Sequence, residues 1–351
     1  MRAVLEGPRP SVRPVDELAI LKTQLTAFCR AHLDDAQASV LSVERTPGHA
    51  GFSFFVAVES RGARRDYVLR VPPPSVKREG TADVLRQARV IAALRGTGVP
   101  VVAVAWSGDD PRWFGRPYFI VPRLRGDGLR TGPGEWAGAL SAERLRPMAR
   151  QAMEALARLH RLDWRRYVPD DGPPLDLVVD VQRWDRFRER AAEPAMVGLG
   201  PEVKRRLLER LPAAPRIGIC HGDYQWANLF YTDERLVAIV DWELWGVGAV
   251  LTDLGWILLF ADDAAWAHEG RGPARLPAPA ALQAMYADAF GAAVGDVAWY
   301  RALAAYKFSI ITGFNLMLHR RGKRHDPYWE VLRPSASRLL ERALELLAGR
   351  S

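Results

Sequence analysis

The sequence predicts an α+β protein of two lobes, a small antiparallel-sheet lobe followed by a large, mainly helical one. Three observations predict it. Strand-like runs crowd the early part of the chain, with one helix inserted among them. Long stretches with helical spacing fill most of the remainder. Between the two, the composition shifts across a Gly-punctuated segment at 126–134, which marks the boundary. The expected organisation is a helical segment at 1–36, a sheet lobe at 37–125 and a helical lobe at 126–351.

Residues 15–33 carry Leu18, Leu21, Leu25 and Phe28 at the spacing of one helix face. Strands are expected at 38–43, 52–59 and 67–71, with Pro47-Gly48-His49-Ala50-Gly51 between the first two and the hairpin signal Arg61-Gly62 between the last two. A helix at 81–94 follows, with Thr81 as its N-cap and Gly96 as its stop. Runs at 99–106 and 118–124 read as further strands. In the helical part, 141–162 is long and amphipathic, and 181–192 and 201–211 are shorter candidates. A strand-turn-strand interrupts them, with runs at 217–220, 229–231 and 236–240. Helices then resume at 251–261, 280–290, 297–319 and 328–347.

With 48% hydrophobic and 26% charged residues, the 351-residue chain is globular in composition and long enough for a large core. Its formal net charge of +8 suits an anionic partner such as a nucleotide or a phosphorylated metabolite. The Arg residues are dispersed along helices and no nucleic-acid-recognition motif appears, so nucleic acid is not an expected partner. Two cysteines, Cys29 and Cys220, do not make a disulfide scaffold. No apolar run reaches membrane-spanning length and no charged-then-apolar leader pattern opens the sequence. A cytoplasmic protein with no membrane partner is expected.

The chemistry concentrates in Cys220-His221-Gly222-Asp223-Tyr224-Gln225-Trp226-Ala227-Asn228, followed by Ile239-Val240-Asp241-Trp242-Glu243. An Asp with an Asn five positions later is the spacing of a kinase catalytic loop, and Asp241 sits directly after an apolar strand. Phosphoryl transfer asks the protein mainly for positioning and charge neutralisation. In that chemistry Asp223 accepts the proton of an acceptor hydroxyl. Asn228 and Asp241 offer hard oxygen ligands to Mg²⁺, which keeps water and phosphate oxygens in its shell. His221 is expected to brace the loop. His-Gly-Asp with Asn at this offset arises by chance in roughly one chain per thousand of this length. A hydrolytic metal site using His221, Asp223 and His160 is disfavoured, because no close His pair of zinc-site type occurs.

These residues resemble the aminoglycoside phosphotransferase and choline kinase superfamily, within it a phosphotransferase-like branch that includes domains fused to some acyl-CoA dehydrogenases. Leu156-Ala157-Arg158-Leu159-His160-Arg161-Leu162-Asp163-Trp164 and Asp253-Leu254-Gly255-Trp256 extend the similarity, which runs from about residue 40 to 330. The resemblance implies a two-lobed protein-kinase-like fold with a cleft between the lobes. It also implies ATP- (or GTP-) and Mg²⁺-dependent phosphorylation of a hydroxyl on a small molecule, an antibiotic or a hydroxylated metabolite.

On the nucleotide side, the resemblance assigns Gly51 and Ser53 to a phosphate-covering hairpin and Arg70 to the phosphate-touching base. Gln87 is placed where a helix carboxylate holds that base, and the backbone near Val121 and Arg123 at the adenine edge. Arg70 stands where Lys is usual and Gln87 where Glu is usual, and neither exchange is neutral. Glu79 lies nearby as a substitute carboxylate. The two departures favour, as the alternative, a nucleotide-binding regulatory pseudokinase with little turnover. For the acceptor, Asp262, Asp263 and Glu269 suit a cation, Lys307, His319 and Arg320 an anion, and Trp256 with neighbouring aromatics an apolar body. The positive net charge favours an anionic or neutral hydroxylated acceptor.

Overall fold

A computed structural model describes residues 14–46, 53–72, 80–132, 134–267 and 276–349. The chain divides into two compact units, one formed by Met1–Ala92 with Val102–Leu124 and the other by Ala93–Val101 with Arg125–Ser351.

The first unit contains α1 (Pro14–His32), β1 (Ser39–Arg45), β2 (Ser53–Ser60), β3 (Ala63–Arg70), most of α2 (Val84–Leu94), β4 (Trp106–Gly108), α3 (Pro111–Phe114) and β5 (Tyr118–Pro122). Its antiparallel sheet has the order β1-β2-β3-β5-β4. Arg61 and Gly62 turn β2 into β3 with positive φ at both positions (52° and 72°), the geometry whose twist matches a tight hairpin. The leucine face expected on α1 buries Leu21, Leu25 and Phe28 with Phe54, Val56, Val58 and Leu69 of the sheet. Phe28 is ringed by Trp106, Trp113, Phe114 and Tyr118 at centroid distances of 5.2–5.8 Å. The N-terminal helix is thus part of this unit's core.

Two local expectations differ here. The Asp83 carboxylate accepts from the N–H groups of Leu85 and Arg86 (3.1 and 3.0 Å), so Asp83 rather than Thr81 caps α2, which starts at Val84. The strand expected at 99–106 is reduced to Trp106–Gly108. Pro100 cannot donate to a ladder, and its carbonyl accepts instead from Ile239 N–H (2.8 Å), which ties 93–101 to the second unit.

In chain order after 93–101, the second unit carries β6 (Asp127–Gly128), α4 (Ala142–Arg161), α5 (Trp164–Tyr167), α6 (Leu177–Gln182), α7 (Asp185–Arg188), α8 (Gly200–Glu209), β7 (Ile217–Cys220), β8 (Leu229–Thr232), β9 (Arg235–Ile239) and β10 (Gly246–Ala249). Next come α9 (Leu251–Phe260), α10 (Pro279–Phe290), α11 (Val297–Arg320), α12 (Tyr328–Leu332) and α13 (Ser335–Leu347). Two small antiparallel sheets, β6-β8-β9 and β10-β7, sit among these helices. The core gathers Trp256 and Leu259 of α9, Tyr300, Leu303 and Ile310 of α11, and Leu339, Ala343 and Leu346 of α13. The helices expected at 181–192 and 328–347 are each broken, the second just before Ser335 at Pro334, which has no N–H to continue it. β10 was not expected, because Gly246-Val247-Gly248-Ala249 lacks the β-branched alternation that announces a strand. No helix among the described residues is long and apolar enough to cross a membrane.

Asp262, a candidate for binding a cationic acceptor, is otherwise engaged. Its buried carboxylate accepts from Arg301 (2.6 Å) and Arg342 (2.9 Å), joining the end of α9 to α11 and α13. Glu269 lies outside the described residues. Removing one member of a buried charge cluster strands the others, so Asp262→Ala is expected to lower stability by about 3–5 kcal/mol. Chemical denaturation of the two proteins in parallel measures it, and a difference below about 1 kcal/mol would count against this reading.

Candidate active site

The strand-turn-strand motif is a hairpin with its loops at one end. Leu229 of β8 pairs with Ile239 of β9, and Val240 N–H donates to Asn228 O (2.9 Å) one step beyond. Asn228 therefore lies directly beside Val240, and Asp241 follows at the same open end of the hairpin. The other end turns at Asp233 and Glu234, both with positive φ (48° and 61°). Helix α4 holds the hairpin along its length. Tyr224 and Tyr231 donate their hydroxyls to Ala152 O (2.7 Å) and Met148 O (2.8 Å), and the Gln151 amide accepts from Leu236 N–H (2.8 Å) and donates to Glu234 O (2.9 Å). Burial pushes the Tyr224 phenol well above its ordinary pKa, so it remains a donor.

The loop between β7 and β8 is clamped from α9. The buried Asp253 carboxylate accepts from the N–H groups of His221 (2.6 Å) and Gly222 (2.9 Å), and His160 Nε2 lies 3.4 Å from the same carboxylate. Burial opposes the charge on Asp253. The hydrogen bond from His160 and that from the His221 N–H outweigh it and hold the carboxyl below its ordinary value. Gly222 has φ +83°, and a Cβ there would lie 2.1 Å from Leu244 O, so only glycine fits between the loop and the segment after Asp241. The buried His221 ring spans the same gap. Its Nδ1 accepts from Asp223 N–H (3.3 Å) and its Nε2 donates to Val240 O (2.9 Å), which fixes the tautomer and leaves neither nitrogen for chemistry. His221 braces.

The Asp223 carboxylate lies in the middle of this frame. Oδ1 accepts from the Trp256 indole (2.8 Å), and Oδ2 accepts from Gln225 Nε2 and Asn228 Nδ2 (2.9 Å each). Asn228 Nδ2 donates a second time, to Asp223 O (3.0 Å). Both hydrogens of that amide are spent on Asp223, so its Oδ1 is the end left to accept. Asp241 adopts the left-handed conformation (φ 63°, ψ 60°), uncommon for a residue other than glycine and concentrated at functional sites. Among the described residues no group of three or more His, Cys, Asp or Glu could hold a metal. A metal at this point would rest on Asn228 and Asp241 with non-protein ligands, which suits Mg²⁺ rather than a zinc cage.

The residues expected to meet a nucleotide lie in the first unit. Ser53 and Arg70 are register partners on β2 and β3, and Arg70 pairs with Phe119 of β5 on its other side. Gln87 is a buried polar side chain of α2. Val121 is buried and pairs with Val68, and the Arg123 guanidinium stacks 3.9 Å over the Phe55 ring. Arg123 N–H donates to Asp66 O (2.8 Å), and Ala105 N–H donates to Ile120 O (2.8 Å). By strand alternation the backbone groups of Val121 and Arg123 face β3, and those of Pro122 and Leu124 face away from it. Gly51 lies outside the described residues, as does Glu79.

The profile of the phosphotransferase enzyme family matches residues 44–306, which include the loop at 220–228, Asp241 and the residues expected to meet a nucleotide. The chain belongs to that family. It is 26% identical over 261 residues to mouse (Mus musculus) acyl-CoA dehydrogenase family member 10, a match covering 71% of this chain and 23% of the relative, so the chain spans about a quarter of that protein's length. Its fold matches that of a protein assigned as an aminoglycoside phosphotransferase in Ralstonia eutropha JMP134, with TM-score 0.71, 24% identity, and coverage of 92% of this chain and 98% of the other. A thermostable variant of the aminoglycoside phosphotransferase APH(4)-Ia, solved with ADP and hygromycin B, matches with TM-score 0.57 and 13% identity over 93% and 98% of the two chains. The family member described here thus has the two-lobed, kinase-like α+β fold.

Two contacts of this phosphotransferase-family loop escape a reading of the motif alone. Gln225 lies inside the quoted segment, yet nothing in its identity announces a bond to Asp223. Trp256 is read from sequence as part of the family resemblance and of an apolar acceptor site, not as a partner of Asp223, although its spacing of three from Asp253 places both on one face of α9. The residues considered for an anionic acceptor are each engaged. Lys307 faces Asp180 (3.3 Å) and lies over the Trp184 ring (5.5 Å), His319 accepts from Asp326 N–H (3.0 Å), and Arg320 pairs with Glu330 and Glu193 (2.7 Å each).

Proposed function

We propose that this chain transfers the γ-phosphoryl group of ATP, or of GTP in its place, to a hydroxyl of a small molecule, with Asp223 as general base. One observation carries the reading. A single carboxylate is held by three side-chain N–H donors beside an amide whose oxygen is turned free, at the hairpin end that also bears Asp241. Mg²⁺ would be held by Asn228 Oδ1 and the Asp241 carboxylate, and when bound it supplies charge neutralisation to the phosphate oxygens. Asp223 takes the proton of the acceptor hydroxyl. The freed oxygen bonds to the γ-phosphorus as the bond to the β,γ-bridging oxygen breaks, and the nucleoside diphosphate leaves with that electron pair. Arg70 is the base for the phosphates, supported by Gln87, while Gly51 and Ser53 belong to the hairpin that covers them. The backbone near Val121 and Arg123 would meet the adenine edge, through the groups of Pro122 and Leu124 between and beside them, which face away from β3.

The acceptor belongs to the antibiotics or hydroxylated metabolites, a range consistent with a fold neighbour that holds ADP and hygromycin B. A panel of such compounds assayed for nucleotide consumption with Mg²⁺ tests the proposal. Asp241→Ala is expected to weaken Mg²⁺-dependent nucleotide binding by more than the roughly 10–100-fold that loss of a metal's outer-shell partner costs. Calorimetric titration with and without Mg²⁺ reads it, and unchanged affinity would remove Asp241 from the metal site. Tight Mg-nucleotide binding without transfer to any compound would favour the regulatory pseudokinase.

A further inference from the structure

The three donors around Asp223 are distributed unevenly, and the unevenness has a chemical consequence. A carboxylate oxygen offers about two lone-pair sites. Oδ2 receives Gln225 Nε2 and Asn228 Nδ2, so both of its sites are filled. Among the described residues Oδ1 receives only the Trp256 indole N–H at 2.8 Å, so one of its sites is open. The indole has little freedom to leave. Trp256 is 9% exposed, and its ring meets Phe260 and Phe308 edge-on with centroids 5.7 Å away in both cases, so packing holds the indole against the carboxylate. One turn earlier on α9, Asp253 fixes the backbone of the loop that carries Asp223. A single helix therefore sets both the height of the loop, through Asp253, and the rotation of its carboxylate, through Trp256.

We infer that Trp256 is a positioning residue for the base: its indole N–H fixes the Asp223 carboxylate so that Oδ1, with one lone pair open, is the oxygen that takes the acceptor's proton. The inference rests on the proposed phosphoryl transfer and deepens it by naming the reacting oxygen and what aims it. Without the indole, Oδ1 loses its one side-chain partner among the described residues and the carboxylate can rotate about χ2, which spreads the base over orientations that miss the hydroxyl. A role confined to aiming the carboxylate puts the effect on turnover rather than on binding, whereas an acceptor contact by the ring would show in KM.

The test uses the full chain with an acceptor found in the panel assay. Trp256→Phe keeps an aromatic ring and removes the donor. Replacement of Trp256 by 3-benzothienylalanine keeps the bicyclic shape and puts sulfur where the N–H was. Both are expected to lower kcat by about 10- to 100-fold, the range of one hydrogen bond to a charged group, with the KM values of nucleotide and acceptor unchanged. In the Asp223→Asn background the same replacements should add less than about twofold, since there is no base left to aim. A residue that merely lines a pocket or fills the core would raise KM, or would cost the same factor in both backgrounds. Wild-type turnover in the benzothienyl protein, or an equal loss on top of Asp223→Asn, would overturn the inference and leave the transferase reading standing. A wild-type chain that transfers to no acceptor would overturn that reading and this one with it.

Discussion

Asp223→Asn is expected to reduce phosphoryl transfer by about two to four orders of magnitude, the usual contribution of a general base, with Mg-nucleotide affinity unchanged. The substitution preserves side-chain volume and removes the charge and the basic lone pair. It also disturbs the donor arrangement. An amide has one oxygen and one NH₂ where the carboxylate has two acceptors, so either the Trp256 side or the Gln225–Asn228 side meets a donor with a donor. Two donors meet the Oδ2 position and one meets Oδ1, so the amide oxygen is expected on the Gln225–Asn228 side, where Asn228 keeps its acceptor and the mismatch falls on Trp256. The loss then acts at the acceptor hydroxyl, whereas Asp241→Ala removes a proposed metal ligand. Turnover and nucleotide titration on the same preparation decide the matter. Undiminished turnover would remove Asp223 as the base, and a parallel fall in nucleotide affinity would make the loss one of loop structure.

The hairpin that carries these residues is legible in the sequence because its determinants are local. Apolar runs at 229–231 and 236–240 lie on either side of turn residues and pair as that spacing dictates, while the run at 217–220 forms the expected strand but pairs with the distant 246–249. The juxtaposition of Asp223 and Asn228 is equally local, a five-residue excursion closed by a short helical turn at Trp226–Asn228. What escapes the sequence depends on distant partners. The run at 99–106 has strand composition, yet most of it forms no ladder, because Pro100 gives its carbonyl to Ile239 instead. The short strand at Gly246–Ala249 exists because β7 lies beside it, and no propensity of its own announces it. The Trp256 contact with Asp223 has the same character. Its residue type and helical spacing are visible, but the atom it reaches is set by how α9 packs against the loop.

Asp253→Ala is expected to lower stability by about 3–5 kcal/mol, because it removes a charge on which three partners depend. His221 N–H and Gly222 N–H would lose their acceptor inside the protein, and His160, bonded on its other side to the Tyr286 hydroxyl (2.8 Å), would lose the carboxylate. The pH dependence follows from the direction of the Asp253 shift. Its carboxyl is held below the ordinary value when folded and returns to about 3.9 when unfolded, so the unfolded chain binds a proton first as pH falls. The stabilisation it contributes is therefore fully present above that unfolded value, and is lost as pH drops towards and through the lower folded one. Denaturation curves of wild type and variant should differ by a constant amount from neutrality down to about pH 5 and converge below about pH 4. A gap that closed between pH 5 and 8 would point to histidine titration as the source of the effect. A gap of less than about 1 kcal/mol at pH 7 would mean that the loop keeps its shape without this carboxylate, and the frame around Asp223 would then need another origin.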